Sequence, residues 1–172
     1  MKLFLIAIAT LAPVLSQAAT KAEWKSVYTD TAKDCVVVSA STERAPIDFS
    51  SSECKSFGGY RLLLDGGDLR YGPSLSFGGE SLEIGRPGAF HDPSGTKWEW
   101  MYRHEIDEEG SGTVEWKGFI YRLSVSNEEG TGSTNQLHVV RLDGAKTCHL
   151  GVAKTNEQAR AMVKDASARC TE

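Results

Sequence analysis

The sequence predicts a β-rich (α+β) fold: an antiparallel curved sheet or small sandwich with one C-terminal helix stapled by a disulfide. Three observations carry that reading. Glycine pairs at Gly58-Gly59, Gly66-Gly67 and Gly78-Gly79 recur every 8 to 12 residues, the spacing of turns in an antiparallel sheet. Strand-like runs with alternating character lie between and after them. The last quarter of the chain changes to helix formers behind a capping signal.

In chain order, Trp24–Tyr28 and Cys35–Ser39 read as strands. Ser39–Ser52 is polar, contains Pro46 and reads as a loop. Tyr60–Leu64, Leu69–Phe77, Trp98–Glu105 and Val114–Val125 follow as strands, with Asp65-Gly66-Gly67-Asp68 a tight turn between the first two. Leu137–Leu142 and Thr147–Ala153 are short strands joined through Asp143-Gly144, a strong hairpin signal. Thr155-Asn156-Glu157-Gln158 matches a capping box, in which side chains satisfy the exposed donors of the first helical turn. The predicted helix runs over about 156–169, its apolar stripe being Ala159, Met162, Val163 and Ala166.

The chain has 172 residues, with 19 Lys+Arg against 23 Asp+Glu. Its first 18 residues carry one charge, Lys2, and an apolar run from Leu3 to Leu15. Ser16-Gln17-Ala18 places small residues at the −3 and −1 positions of a cleavage site, so 1–18 reads as an export signal and 19–172 as a single β-rich domain. The run is short for a membrane span and no later stretch approaches 18 apolar residues, so no stable membrane insertion is expected once it is removed. The expected location is periplasmic or secreted. The remaining 18 basic and 23 acidic residues argue against a nucleic-acid partner, which requires a basic surface to displace phosphate counterions. A hydrophobic fraction of 40% excludes a disordered chain.

An oxidising compartment would pair Cys35, Cys54, Cys148 and Cys170 as disulfides. Three connectivities exist. Chain entropy assigns about 3 kcal/mol to each local loop and roughly 5 kcal/mol to each long-range one, so it does not choose. The local pairs Cys35–Cys54 and Cys148–Cys170 are preferred because each closes around a turn or the helix. A zinc site is the competing reading, and the cysteines lack C-x-x-C spacing.

Val27-Tyr28-Thr29-Asp30, Cys35, Cys54, Gly58-Gly59-Tyr60 and Gly67-Asp68-Leu69-Arg70 form an ordered series. Cys148, Gly151, Asn156, Ala159-Arg160 and Cys170 continue it after a gap over 71–136. The series resembles an uncharacterised family of small exported bacterial proteins with paired cysteines. The resemblance implies a periplasmic setting and a disulfide framework; it brings no activity, cofactor or catalytic residue.

Trp98, Trp100, Tyr102 and His104 occupy every second position along one strand and share one face, a candidate surface for sugar rings or an aromatic-rich partner. The competing reading is the core of a sheet packed against a second layer. Glu105 and Asp107-Glu108-Glu109 crowd a turn that lacks the alternating oxygen ligands of a calcium loop and reads as a solvated acidic turn. His91-Asp92-Pro93-Ser94 is the one local cluster of imidazole, carboxylate and hydroxyl; neighbours this close rarely assemble a triad, and it reads as a loop. Arg61, Arg70, Arg103, Arg122 and Arg141 each follow an apolar or aromatic residue; one reading lines them on a single sheet face for an acidic partner, and the preferred one has them alternate outward and pair with carboxylates. No cofactor or metal is expected. The leading functional expectation is a non-catalytic envelope binding module for a protein or glycan partner, an inhibitor of a wall-degrading enzyme being one form. The alternative is a small periplasmic hydrolase using His91 with a distant acid. They differ in whether the Trp98–Tyr102 face is exposed or His91 lies in a cleft beside a carboxylate.

Overall fold

Residues 21–42, 45–106 and 110–171 are described by a computed structural model. The predicted export signal and the acidic residues Asp107, Glu108 and Glu109 lie outside them. The strands are β1 (Lys21–Asp30), β2 (Cys35–Thr42), β3 (Ala45–Cys54), β4 (Tyr60–Gly67), β5 (Arg70–Phe77), β6 (Glu80–Leu82), β7 (His91–Pro93), β8 (Lys97–Ile106), β9 (Gly112–Ser126), β10 (Ser133–Arg141) and β11 (Cys148–Ala153), followed by α1 (Asn156–Lys164). β2 to β6 form one antiparallel meander and β8 to β11 another, with β1 paired antiparallel to β8. β7 joins them: it runs antiparallel to β9 and meets β5 through one parallel pair, Arg70 with His91. The sheet is therefore open and mixed.

Alternation along β9 sorts the two faces. Phe119, Tyr121, Leu123 and Val125 point inward with Trp98 and Trp100 of β8, and meet Tyr60, Leu62 and Leu75 from β4 and β5. The opposite face of the same strands presents Met101, Ile120, Leu137 and Val139, which Ala159 and Val163 of α1 cover. The helix seats closely because Gly118 has no side chain: a Cβ there would lie 2.5 Å from Val163. Both local disulfides, Cys35–Cys54 and Cys148–Cys170, are formed.

Several expectations change in detail. The polar segment 39–52 is mostly strand, not loop. β2 and β3 shift register between Ala40 paired with Ser50 and Thr42 paired with Ala45, so Pro46 falls in a bulged stretch where no ladder donor is required. Gly66 and Gly67 belong to β4, and the turn falls on Asp68 and Leu69, both at positive φ (52° and 59°). These glycines admit neighbouring strands, since a Cβ on Gly66 would lie 1.9 Å from the Arg70 carbonyl oxygen. The 91–94 segment contributes the short strand β7. The helix ends at Lys164, five residues early, because the chain must turn back to bring Cys170 to Cys148. Its capping box is shifted as well: Thr155 accepts from the Gln158 N–H, while the Gln158 side chain accepts from the N–H of Lys154.

Candidate functional site

The predicted binding face is corrected by its burial. Trp98 and Trp100 have no exposed surface, and the Trp100 indole N–H donates to the buried Thr29 hydroxyl at 2.9 Å. Burying such a ring removes roughly 150–250 Å² from water, an upper estimate of about 4–6 kcal/mol at 25 cal/mol per Å². With a second layer of the sheet facing it, that gain makes the row a core. Tyr102 is half-buried against Trp116 at a ring separation of 5.0 Å. His91, 3% exposed, is also interior: its Nδ1 lies 2.7 Å from the Ala89 carbonyl oxygen, and its Nε2 is buried without a partner among the described residues. No carboxylate is among its hydrogen-bond partners within the described residues.

The best-formed site lies on the opposite face of the same strands, beneath the start of α1. Strand alternation between Trp98 and Trp100 turns Glu99 to the helix side. Register then aligns Tyr28 of β1, Glu99 of β8 and Ile120 of β9 in one transverse row. Arg122 is two residues further along β9, opposite Leu137 of β10. The first turns of α1 supply Asn156 and Arg160. Together with Ser94, Gly95, Thr96 and Lys97 they line an open cleft of about 300 Å³.

Glu99 is 6% exposed, and a carboxylate at that depth needs full compensation. Arg160 provides a two-pronged pair, Nε to Oε1 at 2.8 Å and Nη2 to Oε2 at 3.1 Å. Ser26 donates its hydroxyl to Oε1 at 2.5 Å, and Arg160 also donates to the Tyr28 hydroxyl at 3.3 Å. The Glu99 partner holds the Arg160 guanidinium pKa above its usual value. Among the described residues the Arg122 side chain reaches only Asn156, Nη2 to Oδ1 at 3.4 Å. Arg61, Arg70 and Arg103 pair with Glu53, Asp68 and Glu105 as expected, whereas Arg122 and Arg141 have no carboxylate within 4 Å among the described residues.

A second cleft, of about 330 Å³, lies at the other end of α1, lined by Trp24, Arg103, Lys117, Arg141 and Lys164. Its cations are already engaged. Lys117 pairs with Glu115, Arg141 donates to the Asp165 carbonyl oxygen at 3.0 Å, and Lys164 lies over the Trp24 ring. This is also the negative end of the helix dipole, which opposes an anion. The cleft at the head of the helix is the stronger candidate.

Elsewhere, Nδ1 of His138 lies 3.2 Å from Nε2 of His149, whose Nδ1 lies 2.9 Å from the Thr171 hydroxyl. Burial, with smaller contributions from the charges of His149 and His91, lowers the His138 pKa to about 4. Among the described residues no group of three or more His, Cys, Asp or Glu is placed to hold a metal, and no helix is long and apolar enough to cross a membrane. Glu99, Arg160, Tyr28 and Asn156 were absent from the residues singled out for chemistry. The available signals were a carboxylate set between two core tryptophans and the place of Tyr28, Asn156 and Arg160 in the resemblance series. No protein-family model, curated protein or solved structure matches the chain.

Proposed function

We propose that the mature chain is a non-catalytic binding module of the cell envelope, and that the cleft at the head of α1 is its recognition site. The observation that supports this most is the rigidity of the polar cleft. Glu99, Arg160, Ser26 and Tyr28 hold one another through hydrogen bonds, on strands and on a helix whose following segment is tied to β11 by a disulfide. Side chains held this way bind with little ordering cost. The two disulfides fit an oxidising compartment; periplasmic residence, the export signal and membership of the resembling exported family belong to the proposal. Inhibition of a wall-degrading enzyme is one activity such a module would have.

The test is capture of soluble wall fragments and envelope proteins on immobilised mature protein, with Tyr28→Ala and Asn156→Ala alongside. Retention that both variants weaken supports the reading. Absence of any retained partner, together with turnover of a hydrolase substrate that a folded His91→Gln variant loses, overturns it in favour of the hydrolase.

A further inference from the structure

We propose that the cleft at the head of α1 takes a sugar bearing a carboxylate; this names the ligand class and rests on the binding-module reading. Charge is the first argument. Lys97, Arg122 and Arg160 line the cleft against one carboxylate, Glu99. Arg160 and Ser26 already engage both Glu99 oxygens, so Glu99 leaves the other two cations uncompensated. Neither Lys97 nor Arg122 has a carboxylate within 4 Å among the described residues, and the Arg122–Asn156 contact of 3.4 Å is too long for a strong bond. This occurs in a chain with four more acidic than basic groups, where carboxylates are plentiful. The planar Arg122 fork matches a carboxylate in two-point geometry.

Shape is the second argument. The cleft has an apolar floor, Ile120 and Leu137, both buried. Its edge carries Tyr28, 44% exposed, a ring against which the apolar face of a sugar can rest. The Arg160 guanidinium lies 3.3 Å from the Tyr28 hydroxyl. An inorganic anion would use the cations and leave the floor and ring wet; a pyranose with an acidic substituent uses both. A volume of about 300 Å³ is at the small end for ligand pockets and suits one such ring.

The experiment is a ¹H–¹⁵N NMR titration of the oxidised mature protein with glucuronate, glucose and acetate. Glucuronate is expected to give saturable shifts at Tyr28, Arg122 and Asn156, with glucose and acetate each at least about tenfold weaker. Arg122→Gln should weaken glucuronate by about tenfold without changing glucose, and Arg122→Lys should recover part of the loss. Arg61→Gln removes an equal charge on β4 and should leave binding unchanged. Glucose binding as tightly as glucuronate, acetate binding as tightly as glucuronate, or indifference to Arg122→Gln would each overturn the inference. If none of the three probes shifts the cleft while wall fragments are still captured, the carboxylate-sugar assignment fails and the binding-module reading stands. Failure of both experiments removes both.

Discussion

His138 is buried, stacked on Tyr121 with ring centroids 5.0 Å apart, and its Nε2 has no hydrogen-bond partner among the described residues. Protonation there would put a charge in low dielectric beside His149 and near His91. The folded-state pKa of about 4 is below the 6.5 of a free imidazole, so the unfolded chain takes up the proton first as pH falls. His138 therefore contributes its full stability above about pH 6.5 and loses it as pH drops towards 4, a change of about 2–3 kcal/mol. His149, also lowered by burial, acts in the same direction. A His138→Gln variant should show a smaller fall in thermal midpoint between pH 7 and pH 4.5 than the parent; an identical fall would show that His138 is not the responsible group. Such roles were only half visible in the linear chain. Alternation shows that Trp98, Trp100 and Glu99 divide between two faces, but which face becomes core depends on the layer that meets it. His138 was recognisable as a histidine in a strand, while its contact with His149 arises only from pairing β10 with β11 across a register shift.

At the scale of elements, α1 is a nine-residue helix, too short to be stable alone, and it depends on what holds it to the sheet. Three devices do so: the Thr155 cap, burial of Ala159 and Val163 over Gly118, and the Cys148–Cys170 bridge. The helix was legible because capping and apolar spacing are local properties; its early end was not, since that is imposed by the distance to Cys148. The start of β2 was legible as Cys35–Ser39, whereas its end and β3 were obscured for the converse reason. Their serines and Pro46 are poor strand formers, and a register shift and a disulfide at one end compensate. Replacing Cys148 and Cys170 together by serine should lower unfolding free energy by about 3 kcal/mol in denaturant titration. Because Asn156 and Arg160 ride on α1, wall-fragment capture should weaken in the same variant under conditions where it remains folded. A change in stability below about 0.5 kcal/mol would mean that packing alone fixes the helix.

For the molecule as a whole, stability is distributed unevenly. β8, β9 and β10 are covered on both faces, by the aromatic core on one side and by α1 on the other. Among the described residues β2 is covered on neither face along most of its length: Val36, Val37 and Val38 are 70%, 66% and 51% exposed, and the strand ends the sheet. An edge strand with so little apolar contact gains little beyond its hydrogen bonds to β3, and the Cys35–Cys54 bridge at its base does not restrain the far end. Opening should therefore be graded. Amides of Phe119, Ile120 and Tyr121 should exchange only through global unfolding, with protection equal to the full unfolding free energy, while hydrogen-bonded amides of β2 open locally at a small fraction of it. Native-state hydrogen exchange in increasing denaturant separates these classes, because global opening is strongly denaturant-dependent and local opening is nearly independent of it. Exchange from β2 as slow as from β9 would contradict the gradient and would require the outer edge of β2 to be covered by another strand in solution.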